Sequence, residues 1–428
     1  MSMQIPRVAT LPIWLLFFPF TYCLIPSCPN VPAPLYPYLT APGWNSVKVA
    51  HGLHNPRDLI TDSLGRLLIV EVSLGISQHA VYASGCVEYS QLLISDANLT
   101  HGICMSADGL TLFSSSATTV TSWAYDPTTG SVGGDPITVI SGMSSVGHVT
   151  RTLIISPNHT DLLIVSHGSD SNIDMGASNP ETARAIVKVF NLSTIPVGGY
   201  DFASQGWNAG YGLRNEVGLA FDGNEMLWGV ENSADDLTRV VNGTAIDIHT
   251  DNPSDELNLL GNVTSPNNLW YGYPVCFTVW NPDEFPDHAF DIGQQFVQAP
   301  SPDFNDDTCG QLSAPPILSF QAHSAPLGCK FDAHFDNLFV AMHGSWDRQP
   351  PTGYKVVAVP FELQPSGYYA PTAFPWSNRG TIDVFYPPDE TSCSATSCIR
   401  PVGLAFDAMD RLYVTSDVSG EVFLLSQF

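Results

Sequence analysis

The sequence has few charged residues and very few basic ones. Of its 428 residues, 13 % are charged, 15 are Lys or Arg and 41 are Asp or Glu, which gives a formal net charge of −26 at pH 7. A surface of this sign repels polyanions, so we expect neither nucleic acid nor an anionic membrane as a partner. The apolar content of 44 % is still ample for a core.

Helical periodicity is nearly absent. Short apolar runs rich in Val, Ile, Leu, Phe and Tyr are broken by turn-forming residues, and the chain has 34 Gly and 34 Pro. This pattern is typical of strands and turns. Long apolar segments are also missing, apart from residues 11–24, which follow Arg7 and are too short for a comfortable membrane span. We therefore predict a signal peptide over residues 1–25 and one catalytic domain over residues 26–428.

The cysteines match no zinc-binding spacing. Nine are present, and removal of Cys23 with the signal peptide leaves eight, an even number that suits an oxidising compartment. The predicted pairs are Cys393–Cys398, Cys276–Cys309, Cys86–Cys104 and Cys28–Cys329.

Export is also indicated by five N-glycosylation sequons, at Asn98, Asn158, Asn191, Asn242 and Asn262. We expect a secreted, extracellular glycoprotein.

A short sequence motif recurs along the chain, in which turn-forming residues directly precede a short apolar strand. Its six instances begin at Asn55, His101, Gly147, Gly212, Pro326 and Arg400. Fixed-period repetition of all-β units predicts a β-propeller, here with six blades. The 110 positions from Asp222 to Asp332 predict a large loop insertion between the fourth and fifth recognised repeats; a hidden seventh blade is the alternative. The last strand is expected to pair with N-terminal residues and close the ring.

Basic and imidazole side chains stand just before the turns of these repeats. In a propeller the equivalent ends of the units converge on one central pocket. Because such side chains are scarce in this chain, their equivalent positions suggest an anion-binding site. The residues are Arg57, His101, His148, Arg214 and Arg400.

Several segments resemble the quinoprotein sugar dehydrogenases. They are GLRNEVGLAFD (from Gly212), LWGVENSADD (from Leu227), DELNLL (from Asp255), NNLWYGYPVCF (from Asn267), HGSWDR (from His343) and RPVGLAFD (from Arg400). Within that family, these motifs are most similar to those of fungal pyranose dehydrogenases that depend on pyrroloquinoline quinone (PQQ) and of their L-sorbosone dehydrogenase-like relatives. The resemblance implies a soluble six-bladed propeller that holds PQQ and calcium in its central pocket.

The resemblance also implies catalytic roles. His148 is matched to the family's catalytic histidine, a neutral imidazole that takes the proton of the sugar C1 hydroxyl. Arg214 and Asn215 match the Arg-Asn pair that the family sets against the quinone, where a guanidinium stabilises developing negative charge. Bacterial relatives have a Gln where this chain has Val217, so one cofactor hydrogen bond of the family lacks its counterpart.

Further residues are assigned to PQQ by the resemblance and by the position of the repeats. Arg57 and Arg400 are expected to bind the cofactor carboxylates. His343 and Arg348 stand where bacterial relatives use a Lys. Trp346 is expected to stack on the quinone or the sugar.

Substrate and metal contacts complete the predicted site. His101 occupies the position of a substrate-contacting Gln in bacterial relatives, and Trp346 is a second substrate contact. The family's calcium ligands are main-chain carbonyls, which correspond here to Ser233 and Ala234; relatives have Gly-Pro at these two positions.

The sequence thus predicts a secreted PQQ- and calcium-dependent pyranose dehydrogenase. We expect it to oxidise the sugar C1 hydroxyl, or a ketoaldose hydrate, and to pass electrons to a separate acceptor such as a cytochrome or redox enzyme. Two alternatives are a calcium-dependent lactonase and a non-enzymatic propeller that binds glycan or protein. The lactonase needs Glu, Asn and Asp ligands from several blades, whereas the equivalent positions here are rich in Arg and His.

Overall fold

The computed structural model describes residues 27–428, so the predicted signal peptide lies outside the described residues. The described chain is mostly strand and turn, and it has one α-helix, Asp306–Leu312. It also has five short 3-10 helices, Met175–Ser178, Pro180–Thr182, Leu192–Thr194, Pro282–Glu284 and Glu390–Ser392. None of the helices in residues 27–428 has the length and apolar character needed to span a membrane.

Six antiparallel sheets form the blades, each built around four strands, and the first three follow the chain order. Blade 1 consists of Pro56–Thr61, Leu67–Glu71, Gly75–Val81 and Val87–Ser95. Blade 2 consists of Leu99–Met105, Thr111–Ser116, Val120–Asp126 and Ser131–Ser141, with Tyr200–Asp201 paired in parallel at its edge. Blade 3 consists of Leu153–Ile155, Leu162–His167, Ile186–Asn191 and Trp207–Tyr211.

The other three blades include two with added strands. Blade 4 consists of Glu216–Phe221, Met226–Glu231, Asp255–Asn262 and Leu318–Phe320. Blade 5 consists of Pro326–Phe331, Asn337–Met342, Lys355–Leu363 and Ile382–Tyr386, and it adds Leu39–Thr40 and Tyr369–Pro371. Blade 6 consists of Pro401–Phe406, Leu412–Ser416, Glu421–Gln427 and Trp44–Ala50.

The first strand of each blade lies against the first strand of the next, and this ring of inner strands surrounds the propeller axis. The ring is closed by the N-terminal strand Trp44–Ala50, which pairs antiparallel with the C-terminal strand Glu421–Gln427. The prediction of a six-bladed propeller is therefore confirmed, and no seventh blade is present in residues 27–428. Closure removes two exposed sheet edges.

The hydrophobic core is divided into layers between neighbouring blades. Strand side chains alternate between the two faces of a sheet, so each blade contributes apolar residues to both of its neighbours. Between blades 4 and 5, for example, Trp228 meets Phe361 edge-on, with ring centroids 5.0 Å apart. Between blades 5 and 6, Phe339 and Phe423 belong to one buried cluster. This layered packing fixes the inner strands, which carry the residues around the axis.

The extra residues predicted between the fourth and fifth repeats lie inside blade 4. A hairpin of Thr238–Val241 and Thr244–Asp247 comes between the second and third strands of this blade. A hairpin of Cys276–Thr278 and Gln295–Val297, followed by the α-helix, comes between its third and fourth strands. We call these two segments, residues 232–254 and 263–317, the blade 4 insertion. Apolar side chains from both segments form a shared core.

Two of the four predicted disulfides are confirmed, Cys276–Cys309 and Cys393–Cys398. The pairs Cys86–Cys104 and Cys28–Cys329 are wrong, because the structure joins Cys28 to Cys86 instead. Cys104 and Cys329 are free thiols on the inner strands of blades 2 and 5, where they are buried in the interblade cores. Their side chains point into apolar layers that the N-terminal segment does not reach.

Candidate active site

A cavity of about 220 Å³ gathers most of the predicted site residues. Its walls come from the loops that enter and leave blades 3 to 6, together with the start of the blade 4 insertion. The lining residues are His148, Arg214, Asn215, Asn232, Ser233, Asp235, Asp255, His323, Ala325, His343, Gly344, Ser345, Trp346 and Arg400. Three larger hollows of about 470 to 510 Å³ lie elsewhere, and none of their described lining residues is Arg or Lys.

His148 stands in the loop that leads into blade 3, and its ring orientation is fixed. Nδ1 lies 3.0 Å from the carbonyl oxygen of Ser169 and 3.0 Å from Ser169 Oγ. A carbonyl oxygen only accepts hydrogen bonds, so Nδ1 carries the proton and Nε2 keeps its lone pair. Burial, together with the charge of Arg214, lowers the pKa of His148 to about 4. The ring is therefore a neutral imidazole near pH 7.

Arg151 is a residue that the sequence analysis missed, and it holds the His148 loop. Its buried guanidinium donates to the carbonyl oxygens of His148 at 2.5 Å and Ser144 at 2.6 Å. It also donates to Ala117 at 3.1 Å. Because these carbonyls lie on two different loops, one side chain fixes the position of His148 relative to blade 2. In the sequence, this role was indicated only by the presence of an Arg within the otherwise uncharged segment TRTLIIS.

Arg214 is a fixed positive charge in the cavity wall. Its guanidinium donates to the Ser233 carbonyl at 2.5 Å, to the Asn172 side-chain oxygen at 2.9 Å and to Asp235 at 2.8 Å. Its main-chain N–H donates to the buried side chain of Glu231 at 2.5 Å. With contacts on several sides, this guanidinium has little freedom to move, so its charge is preorganised toward the cavity.

Arg400 and His343 form a second cationic corner. Arg400 Nη2 donates to His343 Nδ1 at 2.8 Å and to the Gly344 carbonyl at 3.1 Å. On the other side of the ring, His343 Nε2 lies 3.0 Å from Asp417, which also pairs with Arg57 at 2.9 Å. Among the described residues, no carboxylate lies within ion-pair distance of the Arg400 guanidinium.

Asp417 was not predicted, and it connects two of the predicted residues. Burial alone would raise its pKa, but the nearby His343 and Arg57 side chains hold that pKa far below the usual range. Asp417 therefore stays ionised and holds Arg57, which does not line the cavity. A single Asp in the turn SDVSG carries no recognisable signal, because its partners are distant in sequence.

The predicted residues are thus only partly brought together. Trp346 lies at the cavity mouth with 69 % of its surface exposed. Arg348 is directed away from the cavity and pairs with Asp251 of the blade 4 insertion. His101 is 2 % exposed on the inner strand of blade 2 and does not line the cavity, and burial lowers its pKa well below the usual value. The structure therefore does not support a direct contact of Arg348 or His101 with a ligand in this cavity.

Of the two residues predicted to bind a metal through their main-chain carbonyls, one lines the cavity. Ser233 lines the cavity, although its carbonyl oxygen already accepts a hydrogen bond from Arg214. Ala234 has no exposed surface and packs in the core of the blade 4 insertion. Next to Ser233, Asn232 also lines the cavity and donates its side-chain N–H to the Pro326 carbonyl at 2.5 Å.

His323 and Asp235 also line the cavity, although neither was predicted as a site residue. Nε2 of His323 donates to the His249 carbonyl at 2.5 Å, and its Nδ1 lies 3.6 Å from Asp235. Burial alone would lower the pKa of His323, but the carboxylates of Asp235 and Asp255 raise it overall. The sequence did contain a signal, since His323 stands three residues before the repeat at Pro326.

Residues 38–428 match the family model described as TrAA12-like. A PQQ-dependent pyranose dehydrogenase from Coprinopsis cinerea is 40 % identical over 408 residues, which are 94 % of this chain and 56 % of that protein. The chain therefore spans about half the length of this relative. A PQQ-dependent sugar dehydrogenase from Hypocrea jecorina is 35 % identical over 439 residues, 98 % of this chain and 96 % of that protein.

Solved structures agree with the sequence comparisons. The holo form of the pyranose dehydrogenase PQQ domain from Coprinopsis cinerea superposes with a TM-score of 0.91 at 40 % identity, covering 94 % of this chain and 100 % of that one. A calcium structure of a Trichoderma reesei protein of family AA12 gives a TM-score of 0.88 at 36 % identity, with the same coverage. The chain therefore belongs to the TrAA12-like family.

Proposed function

We propose that this protein is a quinoprotein oxidoreductase that uses PQQ and calcium to oxidise pyranoses at C1, or the hydrates of ketoaldoses. Two relatives with 35 % or more identity are named as PQQ-dependent dehydrogenases of a sugar or a pyranose. The observation that carries the proposal is the meeting of a neutral imidazole, His148, with two guanidinium groups, Arg214 and Arg400, in one cavity.

The cavity residues fit an anionic, flat cofactor such as PQQ. Arg400 has no carboxylate partner among the described residues, so its charge is available to a cofactor carboxylate. The exposed indole of Trp346 at the mouth offers a flat face for stacking. Bound PQQ supplies the acceptor for the two electrons and the hydrogen of the sugar C1–H bond. Arg214 and Asn215, which also line the cavity, would stabilise negative charge on its oxygen atoms.

Calcium would be held by oxygen atoms of the same cavity. The Ser233 carbonyl and the side-chain oxygen of Asn232 belong to residues that line it, and a hard cation prefers such neutral oxygen ligands. The ion would supply Lewis acidity beside the cofactor. Because Ser233 now accepts from Arg214, cation binding requires that the guanidinium share or release this carbonyl.

His148 is proposed as the general base. Its Nδ1–H is held by Ser169, so Nε2 is the atom that takes the proton of the sugar C1 hydroxyl. Burial and the neighbouring charge of Arg214 keep the ring neutral before reaction, and the same charge stabilises negative charge that develops nearby. The hydrogen bonds of Arg151 hold this loop and would keep Nε2 of His148 at a fixed distance from the substrate.

We further propose that the protein is secreted and that its electrons pass to a separate one-electron acceptor, such as a cytochrome. Three disulfides and four sequon asparagines on the surface, Asn98, Asn158, Asn242 and Asn262, support an extracellular location. The net charge of −26 favours an acceptor with a basic face, because opposite charges speed association.

Reconstitution tests the function. The purified chain is treated with chelator, PQQ and calcium are added, and dye reduction is followed with a panel of pyranoses. Sugar-dependent reduction that needs both additions is the expected result. His148→Ala should abolish reduction while it leaves PQQ binding, measured by absorbance, within about threefold. Absence of PQQ binding in the parent chain would reject the proposal in favour of a lactonase or a glycan-binding propeller.

A further inference from the structure

Three potential metal ligands meet beside the cavity, from parts of the chain that are distant in sequence. They are the carboxylates of Asp235 and Asp347 and the imidazole of His323, and one ligand atom of each lies within 4.8 Å of the other two. His323 and Asp347 are 7 % and 8 % exposed. The cluster is therefore nearly buried, unlike the acidic groups on the outer surface of the blade 4 insertion.

The protonation of His323 is set by its neighbour on the blade 4 insertion. Nε2 lies 2.5 Å from the His249 carbonyl, which can only accept, so Nε2 carries a proton. Nδ1 is left facing two carboxylates, and its lone pair would repel them. The arrangement is stable only when Nδ1 binds a second proton or when a cation lies between the three groups.

Each of the two carboxylates accepts a hydrogen bond through one of its oxygen atoms. Asp235 accepts from Arg214 at 2.8 Å through Oδ2, and Asp347 accepts from the main-chain N–H of Asp236 at 2.8 Å through Oδ2. A protein metal ligand commonly has an outer hydrogen-bond partner that fixes its orientation. All three ligands here have such a partner, and Oδ1 of Asp235 is turned toward His323.

One ligand pair already has nearly the separation that a small divalent ion requires, and the third ligand, Asp347, lies within 4.8 Å of both. Nδ1 of His323 lies 3.6 Å from Oδ1 of Asp235. Two ligands bonded at about 2.0–2.1 Å in tetrahedral geometry are separated by roughly 3.3–3.5 Å, so this pair needs only a small adjustment. Asp347 would move toward the ion when it binds. One imidazole with two carboxylates is a donor set for Zn²⁺ or Mn²⁺, whereas calcium takes oxygen ligands.

We propose that Asp235, His323 and Asp347 form a binding site for a divalent metal ion of the Zn²⁺ or Mn²⁺ class. It is separate from the calcium considered above, whose ligands are oxygen atoms around Ser233. The site does not depend on the proposed function, because its three ligands come from the protein alone. A bound ion would tie the blade 4 insertion to blade 5 and would hold Asp235 against Arg214 at the cavity wall.

Isothermal titration of the untagged, chelator-treated protein without PQQ tests the site. We expect one Zn²⁺ per chain, bound more tightly than Ca²⁺, with affinity that falls as the pH is lowered because protons compete for Nδ1. His323→Ala should weaken Zn²⁺ binding at least about tenfold. His148→Ala is the matched control, since it removes another imidazole of the same cavity and should leave the affinity unchanged.

Three results would overturn the proposal: no saturable binding of Zn²⁺ or Mn²⁺, equal affinity in folded His323→Ala, or binding only when PQQ is present. If circular dichroism reveals that His323→Ala is unfolded, Asp347→Asn replaces it and should also weaken binding at least about tenfold. Dye reduction with PQQ and calcium is measured separately on the same samples, so that failure of the metal site and failure of the proposed function are told apart.

Discussion

Arg400 donates a hydrogen bond of 2.8 Å to Nδ1 of His343, so this nitrogen must be an acceptor. The proton of the His343 ring is consequently on Nε2, which donates to Asp417 at 3.0 Å. A guanidinium and a carboxylate thus fix one tautomer from opposite sides of the ring. Asp417 also binds Arg57, and the result is a network that leaves the Arg400 charge open to the cavity.

Replacement of Asp417 should destabilise the protein. Asp417→Asn removes the negative charge that lies between His343 and Arg57, and a mostly buried guanidinium loses its ion-pair partner. We expect a decrease of about 3 kcal/mol in the free energy of unfolding, measured with denaturant. Asp303→Asn, at an exposed carboxylate of the blade 4 insertion, should change the value by less than about 0.5 kcal/mol. Equal values for the two variants would contradict the network.

His148 should titrate at unusually low pH. Burial and the charge of Arg214 both disfavour the imidazolium, so the ring stays neutral until the pH falls to about 4. NMR titration of the His148 Cε1–H resonance in the cofactor-free protein measures this directly. Arg214→Met should raise the pKa, because it removes a positive charge that disfavours the imidazolium. A transition near 6.5 in the parent protein would show that the ring is solvated instead.

Buried His79 should make stability depend on pH. It lies on blade 1 between Ser77 and Ser90, and burial lowers its pKa from 6.5 to about 4. Between these pH values the unfolded chain binds a proton that the folded chain does not, so stability is lost as the pH falls from about 6.5 to about 4. The loss from this group is at most about 3 kcal/mol. His79→Gln should flatten the profile of Tm against pH in this window; an unchanged slope would exclude a contribution from His79.

The Cys28–Cys86 disulfide should contribute strongly to stability, since it closes a loop of 58 residues. Chain entropy predicts a loss of about 4 kcal/mol when both cysteines are changed to Ser. Cys104→Ala removes a free thiol and should cost only about 1 kcal/mol. Peptide mapping should find three disulfides and two thiols that react with iodoacetamide only after unfolding. A Cys86–Cys104 peptide would refute the connectivity.

Trp346 should matter for the cofactor and not for folding. Its indole is 69 % exposed, so Trp346→Ala should change the Tm by less than about 1 °C. Loss of stacking should weaken PQQ binding by about two- to tenfold, as followed by quenching of protein fluorescence. Trp376→Ala, at an exposed tryptophan on blade 5 outside the cavity, is the matched control and should leave PQQ affinity unchanged. Equal affinities for both variants would remove Trp346 from the cofactor site.

Much of the fold was predictable because propeller blades are encoded locally. Turn chemistry and alternating apolar residues recur within each repeat, so six blades and their order follow from short-range patterns. The same equivalence of repeats predicted that His148, Arg214 and Arg400 meet, since corresponding strand ends face one axis. The disulfide between Cys393 and Cys398 was also local, because only five positions separate the two residues.

What the sequence by itself determined is therefore the architecture and the region of the site, and the tertiary structure decided the contacts. Asp417 meets Arg57 across 360 positions, and His323, in the connection between blades 4 and 5, meets Asp235 of the blade 4 insertion. His101 is buried on an inner strand and does not line the cavity, and Arg348 is held by its ion pair with Asp251. Such contacts depend on which faces of distant strands pack together, and a pattern along one segment carries no information about its distant partner.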